Sequence, residues 1–398
     1  MEVKLIRSTQ RPNRFLTPLF GGVMVAFLLL GSSGPVSSQD SGAVFVMTND
    51  PQLNEVVVFE RNDRGRLLER ARVLTGGQGS GGDIDPLKSQ GSRILSADGQ
   101  WLFAVNARSR EISQFAVAGA ELELVELVRS RGSFPISLTQ FGDQLYVLNA
   151  GGRPNIQGFR ILDGGGLVPI GDSKRFLASD VAASGRAEGP VQVSFSPDGT
   201  HLVLTDRLTD EIHLYSIGSD GLPTEESVRW PSFGGGPFGF GFDPRGYLLV
   251  SELWGRNPSG TQLDGSVSSY RILETGALDN RSRAVENSQL ATCWLVSDGK
   301  RHAYTTNTTS GTLSRYRVRP NGKLRVRPKN GIGYRFRGSP GAFPTDLAVT
   351  ADGRFLYTLN AGRGTVGMFR IRNSGKLVFL GEAGSLQPSS GLQGIAAR

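Results

Sequence analysis

The chain has 398 residues, a formal net charge of +8, one cysteine and three histidines. A single cysteine excludes a disulfide framework within the chain and any multi-cysteine metal site, and three histidines leave little room for a histidine-rich zinc centre. We therefore expect no metal and no cofactor. Glycine is abundant, at 54 residues, and hydrophobic residues make up 38%, which indicates a globular, turn-rich chain rather than a disordered polymer.

Residues 1–38 differ from the rest of the chain. Four basic residues within the first 14 precede an apolar stretch over 15–30, and small residues continue to Ser38. This three-part pattern is typical of a secretory signal peptide with cleavage after Ser38, so we expect a secreted or periplasmic protein. An uncleaved signal anchor is the alternative, although the apolar stretch is shorter than the ~20 residues of a spanning helix. The remaining chain has only a modest basic excess, and we expect no nucleic-acid partner.

The chain after Ser38 repeats seven times, with a period of about 52 residues. In each repeat an apolar strand ends on a small polar residue. These polar residues are Asn49, Asn106, Asn149, Asp206, Ser251, Asn307 and Asn360. A second strand follows, with an aromatic residue at Phe59, Phe115, Phe159, Tyr215, Tyr270, Tyr316 and Phe369. The alternation of aromatic and β-branched residues predicts half-buried β-strands.

Turn signals complete each repeat. A further strand precedes the first one in most repeats and ends in turns such as 96–99 and 350–353, and a return strand follows a glycine, as at Gly65 and Gly375. Glycine supplies the positive φ that a tight hairpin turn needs. Each repeat is therefore predicted to form four antiparallel strands, here called A to D in the order of the repeat.

A single four-stranded sheet cannot bury both of its faces, whereas seven sheets packed around an axis can. The sequence thus predicts an all-β fold, a seven-bladed β-propeller of four-stranded antiparallel blades, as one domain over 39–398. The first repeat lacks strand A, and residues 391–397 resemble a strand A with nothing after it. We expect this C-terminal strand to pair beside residues 43–49, which closes the ring and leaves no exposed sheet edge. We expect a monomer.

Several repeat motifs are shared with a known family. The Ser-Pro-Asp-Gly and Ala-Asp-Gly turns at 196–199 and 351–353, and the strands Leu-Tyr-Thr-Leu-Asn at 356–360 and Phe-Arg-Ile at 369–371, resemble the seven-bladed lactonase family. That family includes 6-phosphogluconolactonase-like and carboxymuconate lactonizing enzymes, and the resemblance covers 43–398. It implies lactone hydrolysis at the face of the channel where strand A begins and strand B ends. The implied catalytic set is a His, an Arg, a Glu and a second Arg from blades four to six.

The chain departs from the family at three of these four positions. The opening of blade four reads Pro-Val-Gln-Val at 190–193 instead of Pro-His-x-His, and that of blade five reads Gly-Pro-Phe at 236–238 instead of Gly-Pro-Arg. Blade six has Asn-Thr-Thr at 307–309 instead of Asn-Arg-Gly, and only the family glutamate is matched, by Glu252. Losing one oxyanion donor typically costs about 10²–10³ in rate, so we expect little activity from the inherited arrangement.

A rebuilt catalytic set is one alternative. Asp206 and Arg207 end strand B of blade four and Glu252 ends strand B of blade five, so adjacent blades should bring them to the channel mouth. In this hypothesis Glu252 acts as a general base, and Arg207, beside Asp206, stabilises an anion. The other interpretation is a structural ion pair near the rim.

The polar residues at the ends of strand B allow two interpretations. Asn and Asp suit strand ends because they bond nearby backbone groups and tolerate turn conformations. The functional interpretation is a polar funnel that binds a sugar-like or carboxylated ligand. The predicted ligand-binding residues are Asn49, Asn106, Asn149, Gln192, Asn307 and Asn360.

Two further segments have distinctive composition. The glycine-rich run 76–82, followed by Asp83 and Asp85, precedes strand A of blade two; it matches no phosphate loop and has too few carboxylates for Ca²⁺, so we expect a flexible loop that covers the channel. In blade six, Arg315, Arg317 and Arg319 alternate along one face of strand C. That stripe predicts either an attachment site for an anionic surface or a solvated outer rim.

Two main functions remain open, beside a third, surface adhesion or scaffolding, that rests on the basic stripe alone. The first is a secreted lactonase-family propeller with its catalytic set largely lost, which binds a small polar or carboxylated ligand, or a partner protein, at the channel mouth. The alternative is a lactone hydrolase that acts on a small carboxylated or sugar lactone through Glu252.

Overall fold

The structure is a computed structural model, and it describes residues 42–178, 185, 188–255, 264–338, 341–384 and 386–398. The predicted signal peptide and its cleavage site lie outside these residues. Throughout the described ranges the regular secondary structure consists of β-strands. No helix in the described part of the chain is long and apolar enough to cross a membrane.

Seven sheets make up the described chain, and each corresponds to one predicted repeat. The first sheet contains β1 (Gly42–Met47), β2 (Glu55–Arg61) and β3 (Leu67–Leu74). The second contains β4 (Arg93–Leu95), β5 (Trp101–Asn106), β6 (Glu111–Ala118) and β7 (Glu121–Arg129). The third contains β8 (Ser133–Phe141), β9 (Gln144–Gly151), β10 (Asn155–Ile161), β11 (Leu167–Pro169) and β12 (Arg175–Phe176). The fourth contains β13 (Pro190–Phe195), β14 (His201–Asp206), β15 (Glu211–Ser216) and β16 (Val228–Pro231).

The second half of the chain repeats this arrangement. The fifth sheet contains β17 (Gly235–Phe242), β18 (Tyr247–Trp254), β19 (Ser266–Ile272) and β20 (Leu278–Glu286). The sixth contains β21 (Thr292–Ser297), β22 (His302–Asn307), β23 (Thr312–Val318), β24 (Leu324–Val326) and β25 (Tyr334–Arg335). The seventh contains β26 (Pro344–Val349), β27 (Phe355–Asn360), β28 (Thr365–Ile371) and β29 (Leu377–Ala383), after which β30 (Ile395–Ala397) returns to the first sheet. In the third and sixth blades the outer strand is in two pieces, both paired with strand C.

The C-terminal strand closes the ring, as the sequence predicts. β30 pairs antiparallel with β1, with Val44 opposite Ala397 and Val46 opposite Ile395. Strand A of each blade contacts strand A of the next around the central channel, and β30 lies between β26 and β4. The fold is therefore a closed seven-bladed β-propeller, and the first blade combines both ends of the described chain.

A repeated hydrogen bond joins some neighbouring blades. Tyr304 donates its hydroxyl hydrogen to the carbonyl of Gly375 at 2.8 Å, and Tyr357 donates to Gly65 at 3.1 Å. Each tyrosine lies on strand B of one blade, and each glycine lies in the C–D turn of the following blade. The Tyr357 bond therefore links the seventh blade to the first, which adds a side-chain contact to the closure.

The A–B turns show why the Asp-Gly motifs recur. In the turn after β4, Ser96 Oγ donates to Asp98 Oδ1 at 2.5 Å, and Gln100 N donates to the same oxygen at 2.9 Å. The Ser96 hydroxyl accordingly lowers the pKa of Asp98. Gly99 has φ of 70°, in the left-handed region that glycine adopts without a Cβ penalty. The motif is thus a turn that returns the chain from strand A into strand B.

The core lies between the faces of adjacent blades. The largest fully buried side chains are aromatic and come from several blades, among them Phe45, Phe103, Tyr146, Phe240 and Trp294. Burial of apolar surface contributes about 25 cal/mol per Å², so these interfaces dominate the stability of the ring. The innermost strands carry the residues that face the channel.

Candidate functional site in the central channel

The seven polar residues that end strand B, here called the polar ring, are all buried. In the second blade, Asn106 Oδ1 accepts from Thr75 Oγ1 at 2.7 Å and from Asn54 Nδ2 at 2.9 Å, and Asn106 Nδ2 donates to Ser113 Oγ at 2.7 Å. Thr75 and Asn54 belong to the first blade and Ser113 to strand C of the second. Asn106 therefore joins two blades.

Asn307 in the sixth blade makes the same kind of network. Its Oδ1 accepts from Thr292 Oγ1 at 2.7 Å and its Nδ2 donates to Ser314 Oγ at 2.9 Å. Asn49, Asn149 and Asn360 also bond neighbouring groups of the chain through their amide nitrogens. These contacts are structural links within and between blades, and ligand binding by the polar ring stays a prediction.

Glu252 lies in β18, and its side chain is fully buried. Its Oε1 accepts from Ser232 Oγ at 2.9 Å, from the Gly234 backbone N at 2.9 Å and from Ser268 Oγ at 2.6 Å. Ser266 Oγ donates to the other oxygen, Oε2. Burial raises the pKa of Glu252, and the four donors oppose that rise. Both carboxylate oxygens thus have protein donors, which is the environment of a structural carboxylate.

Residues 87–91, here called the channel segment, lie across the central channel. The Ser89 carbonyl accepts from Trp294 Nε1 of the sixth blade at 2.9 Å and from Gln393 Nε2, near the C-terminal strand, at 2.9 Å. Ser89 Oγ donates to the carbonyl of Ile136 in the third blade at 2.9 Å. The channel segment therefore bonds groups from three sides of the ring and covers the channel, a role that the sequence predicts for the preceding glycine-rich run.

The glycine-rich run before this segment is held at the first blade. Gly79 N donates to the carbonyl of Asp50 at 2.7 Å, and Gly81 N donates to the carbonyl of Asn49 at 2.9 Å. Residues 87–91 therefore cover the channel, whereas the sequence predicts that the glycine-rich run 76–82 covers it. The run instead connects the outer strand of blade one to the channel segment.

Arg207 is paired with a carboxylate of the chain, whereas its predicted role is to stabilise an anion at the channel mouth. Its Nη2 lies 3.0 Å from Glu188 Oε2, and Lys88 Nζ of the channel segment lies 2.5 Å from the same oxygen. The neighbouring Asp206 accepts from the backbone N of Leu208 at 3.1 Å. The contacts of Arg207 thus join blade four to the channel segment, while those of Glu252 lie within blade five and its approach. Catalysis by Glu252, Arg207 and Asp206 stays a prediction.

Gln192 bridges two innermost strands. Its Nε2 donates to the carbonyl of Phe240 at 3.1 Å and its Oε1 accepts from Phe240 N at 2.8 Å. Gln90 of the channel segment makes the same pair of bonds with Leu295, at 2.8 and 2.9 Å. Both amides thus bond the backbone N–H and carbonyl of one residue on an innermost strand of another blade. The predicted ligand contact of Gln192 stays a prediction.

Beyond the channel segment, toward the ends of strand A, the channel contains a cavity of about 380 Å³. It is lined by the segment's Gln90 and Gly91 and by innermost strands of six blades. Two charged residues line it, Arg93 on β4 and Asp346 on β26. Both are buried, with Arg93 3% and Asp346 5% exposed. We call this space the channel cavity.

The two charges affect each other across the C-terminal strand. Burial lowers the pKa of Arg93 to about 9, and the charge of Asp346 opposes this shift. Burial raises the pKa of Asp346 to about 7, against the backbone N–H of Leu347, the charge of Arg93 and the backbone N–H of Ile395. None of the three guanidinium nitrogens of Arg93 has a hydrogen-bond partner among the described residues. Neither residue was singled out by sequence reasoning, although each is a charge inside an otherwise largely apolar innermost strand.

The basic stripe of the sixth blade lies away from this cavity. Arg317 and Arg319 are exposed and alternate with buried Tyr316 and Val318, while Arg315 is half-buried. This placement fits both predicted interpretations of the stripe. Among the described residues, no three His, Cys, Asp or Glu side chains are grouped so that they could hold a metal ion.

Solved structures with this fold share little sequence with the chain. A Bacteroides fragilis protein provisionally described as a 6-phosphogluconolactonase has 20% identity and a TM-score of 0.67, with 91% of this chain and 99% of that chain covered. A Bacteroides uniformis protein with the same provisional description has 17% identity and a TM-score of 0.67, with coverages of 90% and 100%. The periplasmic gluconolactonase of Pseudomonas aeruginosa has 18% identity and a TM-score of 0.63, with coverages of 88% and 98%.

No protein-family model and no curated protein matches the sequence. The structural likeness covers about nine-tenths of the chain, and nearly the full length of these three proteins. The chain thus has the seven-bladed fold of the lactonase-like propellers, as the resemblance of its repeats implies.

Proposed function

We propose that the protein binds a small polar ligand inside its central channel and does not hydrolyse lactones through the catalytic set of the lactonase family. The channel cavity carries this proposal. Its volume of about 380 Å³ lies within the range of small-molecule sites, which are typically concave and lined by a few convergent polar groups. The proposed ligand site differs from the predicted one. The predicted site is the channel mouth at the polar ring, and the proposed site lies on the opposite side of the channel segment.

Two contacts argue against hydrolysis at the family's face of the channel. The channel segment lies across the channel and bonds the third and sixth blades. The one retained family residue, Glu252, has four donors on its carboxylate. A general base must reach the proton that it removes, and a carboxylate with both oxygens engaged and no exposed surface is poorly suited to that role.

Lactone hydrolysis is the second candidate function. The names of the similar structures favour it, since one is a gluconolactonase and two are provisional 6-phosphogluconolactonases. The retained Glu252 favours it as well. Burial raises the pKa of Glu252, and a raised carboxyl pKa is a common property of catalytic acids and bases.

One pair of assays separates the two functions. The purified protein and its Glu252→Gln variant are tested against γ- and δ-lactones, including glucono-δ-lactone and 6-phosphogluconolactone, and the corresponding acids are titrated by calorimetry. The proposal expects binding of an acid without turnover above the uncatalysed rate. Turnover that disappears in Glu252→Gln, at an unchanged melting temperature, would instead establish the hydrolase.

We also propose that the protein acts outside the cytoplasm. The three-part pattern of residues 1–38 supports this, and one protein of the same fold is described as periplasmic. Cell fractionation and N-terminal sequencing of the expressed protein test it. A mature chain that starts at Gln39 is the expected result, and an intact N-terminus in the membrane fraction would indicate the signal anchor instead.

A further inference from the structure

Arg93 lacks what a buried charge normally requires. A charged group taken out of water is unfavourable by several kcal/mol unless it is paired and hydrogen-bonded. Arg93 is 3% exposed, and Nε, Nη1 and Nη2 have no hydrogen-bond partner within the described ranges. Arg93 thus lines the channel cavity with a buried guanidinium that has no protein acceptor among the described residues.

A second buried arginine shows that the fold can satisfy this group. Arg175 on β12 is 6% exposed. Its Nε donates to the carbonyls of Pro223 at 3.0 Å and Thr224 at 2.8 Å, and its Nη1 donates to the backbone carbonyl of Asp172 at 2.7 Å. The two arginines are nearly equally buried, but Arg175 has hydrogen-bond acceptors in the chain and Arg93 has none among the described residues. This contrast indicates that Arg93 is placed for a partner from outside the chain.

The chemistry of that partner follows from the groups around it. A guanidinium is a planar fork that binds a carboxylate through two parallel hydrogen bonds. Thr139 and Ser194 line the same cavity. Thr139 Oγ1 accepts from Phe195 N at 2.9 Å and Ser194 Oγ donates to the Phe195 carbonyl at 3.1 Å, so the Thr139 hydroxyl can still donate to a ligand and the Ser194 hydroxyl can still accept from one. Asp346 on β26 also lines the cavity, and its charge would repel a dianion more strongly than a monoanion. These groups favour a carboxylate over a phosphate.

We propose that the channel cavity binds a small hydroxycarboxylic acid, with its carboxylate on the Arg93 guanidinium and its hydroxyl groups toward Thr139, Ser194 and Asp346. The inference rests on the proposed ligand-binding function and names the class of ligand. A chain of about six carbons is compatible with a cavity of about 380 Å³. The innermost strands of several blades would then contact one ligand.

Calorimetric titration of the full chain tests this assignment, with D-gluconate as the probe. Glucitol, which has a similar hydroxyl chain and no charge, and inorganic phosphate are the comparison ligands. The variants are Arg93→Met, Arg93→Lys and Ser194→Phe, the last of which fills the cavity and leaves Arg93 in place. Melting curves of all variants are recorded, since Arg93→Met should fold at least as well as the wild type.

The expected result is gluconate binding that weakens about 100-fold in Arg93→Met, weakens less in Arg93→Lys and disappears in Ser194→Phe, with glucitol much weaker than gluconate. Equal gluconate affinity in the wild type and Arg93→Met would overturn the role of Arg93. If Ser194→Phe still abolished binding in that case, ligand binding in the channel would stand without the arginine. If it did not, both proposals would fail.

Two other results would also overturn the carboxylate assignment. Phosphate that binds more tightly than gluconate, and loses that binding in Arg93→Met, would identify a phosphate site instead. Absence of gluconate binding to folded wild-type protein at millimolar concentration would exclude the proposed class of ligand.

Discussion

Two buried charges in the ring have opposite surroundings. Glu252 in the fifth blade accepts hydrogen bonds from three serines and one backbone N–H. Arg93 in the second blade has no hydrogen-bond partner in the part of the chain that the structure describes. Both side chains are almost completely inaccessible to solvent.

This difference is the basis for the two roles proposed above, a structural carboxylate at Glu252 and a ligand-binding guanidinium at Arg93. A buried carboxylate needs hydrogen-bond donors, and a buried guanidinium needs acceptors, to compensate for the loss of water. For Glu252 the compensation comes from its own blade and from the connection that leads into it. For Arg93 the nearby Asp346 contributes a favourable charge but no hydrogen bond. Burial or pKa alone would not distinguish these roles, whereas the complete set of partners does.

The largest expected effect comes from removing the strand that separates Arg93 from Asp346. Deletion of residues 391–398 removes β30, whose Ile395 N donates to Asp346 Oδ2 at 3.2 Å and which pairs with β1. The ring would open, and the loss should approach the 5–15 kcal/mol of a typical domain. Circular dichroism should then show no cooperative melting at 37 °C or above. A chain ending at Ala397 keeps the three β30 pairs and is the matched control; an unchanged melting curve after the larger deletion would refute closure.

The second effect concerns the satisfied charge. Glu252→Ala removes an acceptor from four donors and should lower the free energy of unfolding by about 3 kcal/mol, as measured by urea denaturation. Glu274→Ala, an exposed position in the same blade, should change it by less than about 0.5 kcal/mol. Equal stability of the Glu252→Ala protein and the wild type would remove the structural interpretation of this carboxylate and strengthen the catalytic one.

The fold was predictable from the sequence because the pattern that encodes it occurs seven times. The repeats share the same alternation and the same kinds of turn, so a strand that is ambiguous in one repeat can be assigned from the others. The closing strand was predictable for a related reason, since the first repeat lacks a strand A that residues 391–397 supply. The Asp-Gly turns were likewise predictable, because φ of 70° at Gly99 favours glycine.

The channel was not predictable in the same way, because its distinctive residues occur once. The channel segment precedes β4, which has three residues, and no other repeat has such a segment within the described residues. Arg93 and Asp346 lie more than 250 positions apart in sequence, and they share a cavity only because β30 brings the second and seventh blades to its two sides. The residues of the polar ring stand out in the sequence because one occurs in every repeat. The structure shows that several of them form hydrogen bonds that join strands.

A matched pair of arginine substitutions tests the contrast directly. Arg175→Met leaves the carbonyl of buried Pro223, and those of Thr224 and Asp172, without their donor and should lower the free energy of unfolding by about 2 kcal/mol. Arg93→Met removes a buried charge that has no hydrogen-bond partner among the described residues and should raise the free energy of unfolding by about 1 kcal/mol. Urea denaturation of both proteins gives the two values. A loss of similar size in the two variants would show that Arg93 stabilises the fold, and the contrast with Arg175 would then disappear.

The smallest expected effect is a pH dependence of ligand affinity. Asp346 has a pKa raised to about 7, chiefly by burial, so it changes charge between pH 8 and pH 6. Arg93, Asp85 and the N–H groups of Leu347 and Ile395 act on it. When ionised, Asp346 repels a carboxylate in the channel cavity; when protonated, it can donate a hydrogen bond to one.

Gluconate stays ionised over this range because free carboxyl groups titrate near pH 4. Its affinity should therefore rise a few-fold as the pH falls from 8 to 6, and by linkage the bound anion should raise the pKa of Asp346 further. Calorimetry at constant ionic strength measures this change. Asp346→Asn carries no titrating carboxyl and should bind gluconate with nearly constant affinity across the range. An affinity that rises with pH, or an equal pH dependence in Asp346→Asn, would show that Asp346 does not face the ligand.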